Sequence, residues 1–138
     1  MKYFNPEIET MPLGQLRRLQ GERLQNLAAN LYERVPFYKN QWAEKGLRPA
    51  DIKGIEDLHK LPFTRKHHLR DHYPFGLFAL PVEDTIRLHA SSGTTGKPTV
   101  VGYSRRDINI FSEVVARSLV ASGCQPGRSG SVNNSISS

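Results

Sequence analysis

Hydrophobic positions recur at helical intervals near the N-terminus. Leu13, Leu16, Leu24, Leu27, Leu31 and Val35 stand three, four or seven to eight positions apart, so they line one face of a helix. Pro12 and Pro36 bracket the run and set its natural boundaries. The pattern predicts an amphipathic helix over 13–35 whose ordinary work is packing. Phe37, Tyr38 and Trp42 continue into a short helix that Gly46 should end.

Residues 49–75 are punctuated by Pro49, Gly54, Pro62 and Pro74. Between them, Ile55–Leu61 has room for one or two helical turns, and Thr64 is the expected N-cap of a helix over 65–72. The apolar run Phe75–Gly76–Leu77–Phe78–Ala79 is expected to be buried. The period then changes to two. Thr85 to Ala90 alternates, with Ile86, Leu88 and Ala90 on one face, and Thr99 to Tyr103 is a second β-rich run. Residues 91–98 therefore join two strands. Ser104-Arg105-Arg106-Asp107 reads as a capping box. It opens a helix carrying Ile108, Phe111, Val115 and Leu119 on one face, with Gly123 as its stop. From Arg128 the chain reads RSGSVNNSISS, a composition that buries too little surface to order itself.

Composition narrows the function classes. A chain of 138 residues is one domain, or part of one. The formal charge is +6, but the basic residues are dispersed and cluster only in pairs such as Arg17-Arg18, Arg65-Lys66 and Arg105-Arg106. Dispersed charge argues for solvated faces and against a nucleic-acid partner. The lone Cys124 fits a reducing compartment and, with no acyl-transfer signature around it, reads as a structural thiol. The opening MKYFNPEIET has no apolar signal region, and no segment approaches the ~20 apolar residues of a membrane span. The expectation is a cytoplasmic protein without a membrane partner.

The candidate chemistry lies in the connection between the two strands. Ser91, Ser92, Gly93, Thr94, Thr95, Gly96 and Lys97 precede Pro98. Phosphates carry concentrated negative charge, and a loop holds them with inward N–H groups, hydroxyls and a cation. Gly93 and Gly96 permit close backbone approach, the four hydroxyls donate, and Lys97 supplies a point charge. The plain alternative is a polar hairpin loop with no ligand. A Walker A loop needs Gly where Ser91 stands and Ser or Thr where Pro98 stands, and it opens into a helix. A dinucleotide fingerprint is absent as well.

The order SSGTTGKP resembles the phosphate loop of the adenylate-forming superfamily. LPFTRKHHLRDHYPFGLFALP, RLHASSGTTGKPTVVGYSRRDI and VARSLVASGCQPG resemble, together, the N-terminal part of phenylacetate–CoA ligases. The resemblance covers residues 1–127. It implies an α/β fold: part of the large adenylation domain, with a helical N-terminal region followed by a strand–phosphate loop–strand–helix unit. The function it implies is activation of an aryl acid, phenylacetate by expectation, with ATP and Mg²⁺ as acyl-AMP, then transfer to coenzyme A. Ser91 to Lys97 would handle the β- and γ-phosphates. Family members are often dimeric, so a homodimeric parent is implied.

The sequence also departs from the family. The adenine-side segment, the Tyr-Gly-x-Thr-Glu type motif that helps hold Mg²⁺, the ribose-binding Asp and the C-terminal catalytic Lys have no counterpart here, and no catalytic residue is assigned. After Gly127 the family continues with Asp and an apolar strand, whereas this chain has Arg128 and a polar tail over 128–138. So abrupt a change is expected of a frameshift, a truncation or a cloning artefact, and the chain alone is expected to be inactive. His67-His68 replaces an acidic pair, and His68 and His72 have the i,i+4 spacing of metal ligands. No third ligand is evident, so surface histidines are the expectation and no metal site is assigned. The other readings of the chain are a small phosphate- or ATP-binding or partner-docking module, and a basic nucleic-acid binder.

Overall fold

The computed structural model describes residues 3–91, 96 and 98–124. Ser92, Gly93, Thr94, Thr95, Lys97 and the expected tail over 128–138 lie outside the described residues. Helix α1 spans Pro6–Glu9 and is capped by the Asn5 side chain, which accepts the Ile8 N–H at 3.4 Å. Helix α2 spans Leu13–Arg34 and α3 spans Pro36–Ala43, so the two prolines mark the boundaries read from sequence. Short 3₁₀ turns follow at Pro49–Asp51 and Ile55–Lys60, then α4 at Lys66–Asp71 and a 3₁₀ turn at Val82–Asp84. Strands β1 (Arg87–Ala90) and β2 (Val100–Tyr103) form an antiparallel two-stranded sheet, and α5 covers Arg105–Ala121.

The core belongs to the N-terminal half. Leu24, Ala28, Trp42 and Ile52 cluster, with Leu31, Tyr32, Leu47 and Leu61 packed against them. Val35, between α2 and α3, is fully buried. Among the described residues, every buried position precedes residue 53. A Cβ on Gly21 would lie 3.3 Å from Gly54 Cα and from Ile55 N. Glycine therefore lets α2 rest directly on that backbone. Helix α3 ends in a Schellman motif. Leu47 N–H donates to Trp42 C=O at 2.9 Å and Gly46 N–H to Ala43 C=O at 3.0 Å, with Gly46 at φ +65°. This is the left-handed cap expected of that glycine, and it folds Leu47 back onto the core.

Several sequence expectations need correction. Leu13 and Leu27 are exposed, and the buried stripe of α2 is Gly21, Leu24 and Ala28. Small residues lie where the helix meets backbone, so apolarity alone misplaces its inner face. Thr64 does not cap α4. Its hydroxyl bonds Tyr38 Oη at 3.0 Å, the N-cap is Arg65, and Arg65 N–H donates to His68 Nδ1 at 3.1 Å. Phe75 is exposed, although Leu77, Phe78 and Ala79 are half-buried. The first strand starts at Arg87, and all four of its residues are exposed, so the alternating face of Ile86, Leu88 and Ala90 is uncovered. Phe111, Val115 and Leu119 on α5 are also exposed. Cys124 is exposed and unbridged.

Candidate functional site

The register of the hairpin fixes the ends of the candidate loop. Arg87 pairs with Tyr103, Leu88 with Gly102, His89 with Val101 and Ala90 with Val100. The ladder runs one residue further at each end. Ile86 N–H donates to Tyr103 C=O at 2.9 Å, and Ser91 N–H donates to Thr99 C=O at 3.0 Å. Pro98 has no N–H, so strand pairing stops there. Side chains close the hairpin neck a second time. Ser91 Oγ and Thr99 Oγ1 are 2.6 Å apart, and Thr99 N–H donates to Ser91 Oγ at 3.3 Å.

This Ser91–Thr99 clasp holds the two ends of residues 92–98 side by side. The hydroxyl pair shares one proton, which leaves the other hydroxyl proton for an oxygen outside the pair. Gly96 has φ +128°, a backbone conformation that a Cβ would strain. Of the predicted phosphate-binding residues, the structure places Ser91 at the neck and Gly96 within the connection. Ser92, Gly93, Thr94, Thr95 and Lys97 lie outside the described residues. Thr99 was missed by motif reading. Its signal is positional: once 91–98 is taken as the connection, Thr99 falls opposite Ser91.

The neck is braced from below. On one face of the hairpin the rings of His89 and Tyr103 meet edge to face at 5.1 Å. On the other, Phe78 lies over Gly102, and Thr85 Cγ2 closes the same space. A cleft of about 220 Å³ opens there, lined by Leu69, Leu77, Phe78, Val100, Gly102 and Asp107. Helix α5 starts beside it with the capping box that the sequence predicted. Ser104 Oγ accepts the Asp107 N–H at 3.2 Å, and Asp107 Oδ2 accepts the Ser104 N–H at 2.8 Å.

The histidine group is arranged as a helix end. His68 Nδ1 is occupied by the Arg65 N–H, and His72 Nδ1 lies 2.9 Å from His68 C=O. Phe37 packs on both rings at 4.8 and 4.9 Å. Burial, followed by the charge of the neighbouring His67, holds His68 below the usual imidazole range. Among the described residues, no three His, Cys, Asp or Glu side chains converge to hold a metal ion. Elsewhere Asp57 is held below the usual carboxylate range, first by the Lys60 ammonium at 2.8 Å and then by the Lys53 N–H at 2.7 Å. No described helix is long and apolar enough to cross a membrane.

Comparison with known proteins follows the same segment. No family model matches the chain. It is 60% identical over 124 residues to a phenylacetate-coenzyme A ligase of Thermus thermophilus, a match covering 90% of this chain and 28% of that protein. It is 53% identical over 120 residues to a phenylacetate-coenzyme A ligase of Pseudomonas putida. The solved structure of 2-hydroxyisobutyryl-CoA ligase in complex with 2-HIB-AMP and CoA superposes with a TM-score of 0.81 at 34% identity. That match covers 91% of this chain and 28% of that one. The chain thus spans little more than a quarter of the length of the relatives it matches. Its helix-rich fold with a small antiparallel sheet matches the N-terminal part of adenylate-forming CoA ligases.

Proposed function

We propose, from the premise that this chain is homologous over nine tenths of its length to the phenylacetate–CoA ligases, that residues 1–127 are the phosphate-handling N-terminal part of an AMP-forming aryl acid–CoA ligase. The reaction of the whole ligase balances in two steps. A carboxylate oxygen attacks the α-phosphorus of ATP, giving acyl-AMP and pyrophosphate. The coenzyme A thiolate then attacks the acyl carbon, giving the thioester and AMP. Phenylacetate is the proposed acid.

The observation that carries this reading is the clasped hairpin at the SSGTTGKP sequence. In the proposal, Ser91, Ser92, Gly93, Thr94, Thr95, Gly96 and Lys97 hold the β- and γ-phosphates. Their N–H groups, hydroxyls and ammonium balance the charge that gathers on pyrophosphate as it leaves. Mg²⁺, when bound, would add to that neutralisation. The described residues offer no carboxylate cage for it, and the roles proposed here belong to the loop alone. The lone Cys124 supports a cytoplasmic setting, the dispersed basic residues speak against nucleic acid, and a homodimeric parent completes the proposal.

The test is thermal unfolding of the 138-residue chain with inorganic triphosphate or ATP. Ligand at ~100 times its Kd should stabilise the chain by about 2.7 kcal/mol. Lys97→Ala should remove that protection. With phenylacetate, MgATP and coenzyme A, the chain alone should release thioester only at background rate. No protection at millimolar triphosphate would overturn the loop assignment.

A further inference from the structure

Two imidazoles close on one aromatic ring where the N-terminal core gives way to the rest of the chain. Phe37 of α3 stands 4.8 Å from the His68 ring and 4.9 Å from the His72 ring. The two histidines lie one turn apart, in α4 and at its C-cap, and all three side chains are half-buried. Phe37 follows two residues after the fully buried Val35, so its ring is anchored to the core.

Backbone partners fix which nitrogen of each imidazole carries the proton. The Arg65 N–H can only donate, so His68 Nδ1 presents a lone pair and its proton sits on Nε2. The His68 C=O can only accept, so His72 Nδ1 carries a proton. A further proton therefore acts differently on the two rings. On His72 it enters at Nε2 and leaves the Nδ1–H bond standing. On His68 it enters at Nδ1 and sets a proton against the Arg65 N–H. The Arg65 side chain caps nothing, and the first turn of α4 holds no acidic residue, so a positive charge there also opposes the helix dipole. An imidazolium still attracts an aromatic ring, but here it would stand among Arg65, Lys66 and His67. Burial and then the neighbouring His67 already disfavour the charged form of His68. His72 and Arg65 act in the same direction and Asp71 against it, while α3 meets the ring with the uncharged Phe37. With six residues, α4 is too short to persist without such contacts.

Movement here has a route to the hairpin. Gly76 N–H donates to His72 C=O at 2.8 Å, and a Cβ on Gly76 would come within 2.9 Å of His72 Cβ. The chain after α4 is therefore folded tightly onto His72. Phe78 then packs on Phe75 at 5.1 Å and fills the space beside Gly102 of β2.

We infer that His68, with His72 and Phe37, forms an acid-opened latch: closed, it holds α4 on α3, and uptake of a proton at His68 Nδ1 releases α4 and loosens the seat of Phe78 under the hairpin. Closing expels that proton, so acid favours the open form. The latch rests on the packing of α3 and α4 and not on the proposed function.

The experiment is NMR of the 138-residue chain between pH 8 and pH 5, without nucleotide. Through-space cross-peaks from the Phe37 ring to the His68 and His72 rings should be present at pH 8 and fall several-fold by pH 5. The cross-peak from the Phe78 ring to the Gly102 α-protons should weaken with the same midpoint, while the Leu24 and Ala28 amides stay in place. His68→Gln keeps a neutral acceptor at this helix position and should hold the Phe37–His72 and Phe78–Gly102 cross-peaks constant across the range. His68→Glu, which also supplies an acceptor, is the second variant should the first lose helix. Cross-peaks of equal strength at both ends of the range would overturn the inference. So would a His68→Gln chain that opens in acid as the unaltered chain does, a Phe78–Gly102 contact indifferent to the latch, or movement of the Leu24 and Ala28 amides at the same midpoint.

Discussion

Phe78 occupies the space that a side chain on Gly102 would need: a Cβ there would come within 2.5 Å of Phe78 Cε2 and 3.0 Å of Thr85 Cγ2. The missing side chain in β2 is thus what lets the 75–79 segment seat under the hairpin. Gly102→Ala should destabilise the chain by about 1–3 kcal/mol through overpacking. Adding Phe78→Leu should return part of that loss. Denaturant midpoints of the two single variants and the double variant would show the coupling, and strict additivity would contradict it.

Ser104 and Asp107 satisfy one another's backbone N–H groups at the start of α5. Ser104→Ala removes one half of that exchange and should cost about 1 kcal/mol. Ser104→Asp restores an acceptor and should recover most of it. No loss for Ser104→Ala in urea unfolding would show that the cap contributes nothing.

His68 gives the chain a pH dependence. Its folded-state pKa lies below the ordinary 6.5, so between that lowered value and 6.5 the unfolded chain binds more protons than the folded one. Stability then rises with pH across that window and is fully present above it. As pH falls through the lowered folded-state value, His68 takes up a proton and the Arg65 N–H loses its acceptor at His68 Nδ1. His68→Gln keeps a neutral acceptor at the same helix position and should flatten the slope of melting temperature against pH between 5 and 7, relative to the wild type. An unchanged slope would show that His68 does not carry the effect.

Thr99→Val is nearly isosteric and removes the hydroxyl from the clasp with Ser91. The exposed hydrogen bond is worth about 1 kcal/mol or less, so folding should be little affected. Triphosphate protection should fall several-fold, because residues 92–98 would enter the bound state from a looser neck. Full protection in Thr99→Val would remove the clasp from the site.

What the sequence disclosed, and what it withheld, follows from range. Features set by neighbours in the chain were legible: α2 between Pro12 and Pro36, the Gly46 terminus of α3, the Ser104 capping box and the two strands flanking the SSGTTGKP connection. Features set by distant partners were not. Nothing local marks Asn5 for Glu113, 108 positions away, or Thr64 for Tyr38. The buried role of Gly21 arises because Gly54 lies against it, a contact that no periodicity encodes. At the site, residue types pointed to phosphate, whereas the role of Thr99 needed the strand register.

Among the described residues every buried position precedes residue 53, and this has a kinetic consequence. Leu24, Trp42 and Ile52 meet across fewer than thirty positions, and such short closures form fast. The Asn5–Glu113 pairing has to wait for almost the whole chain. During synthesis the α2–α3 nucleus can therefore be complete while the hairpin and α5 are still emerging. In the finished molecule the same asymmetry sets two tiers of opening. Amides of α2 and α3 should exchange with solvent hydrogen slowly and together, while those of β1, β2 and α5 exchange in a faster group that slows only when their outer surfaces are covered.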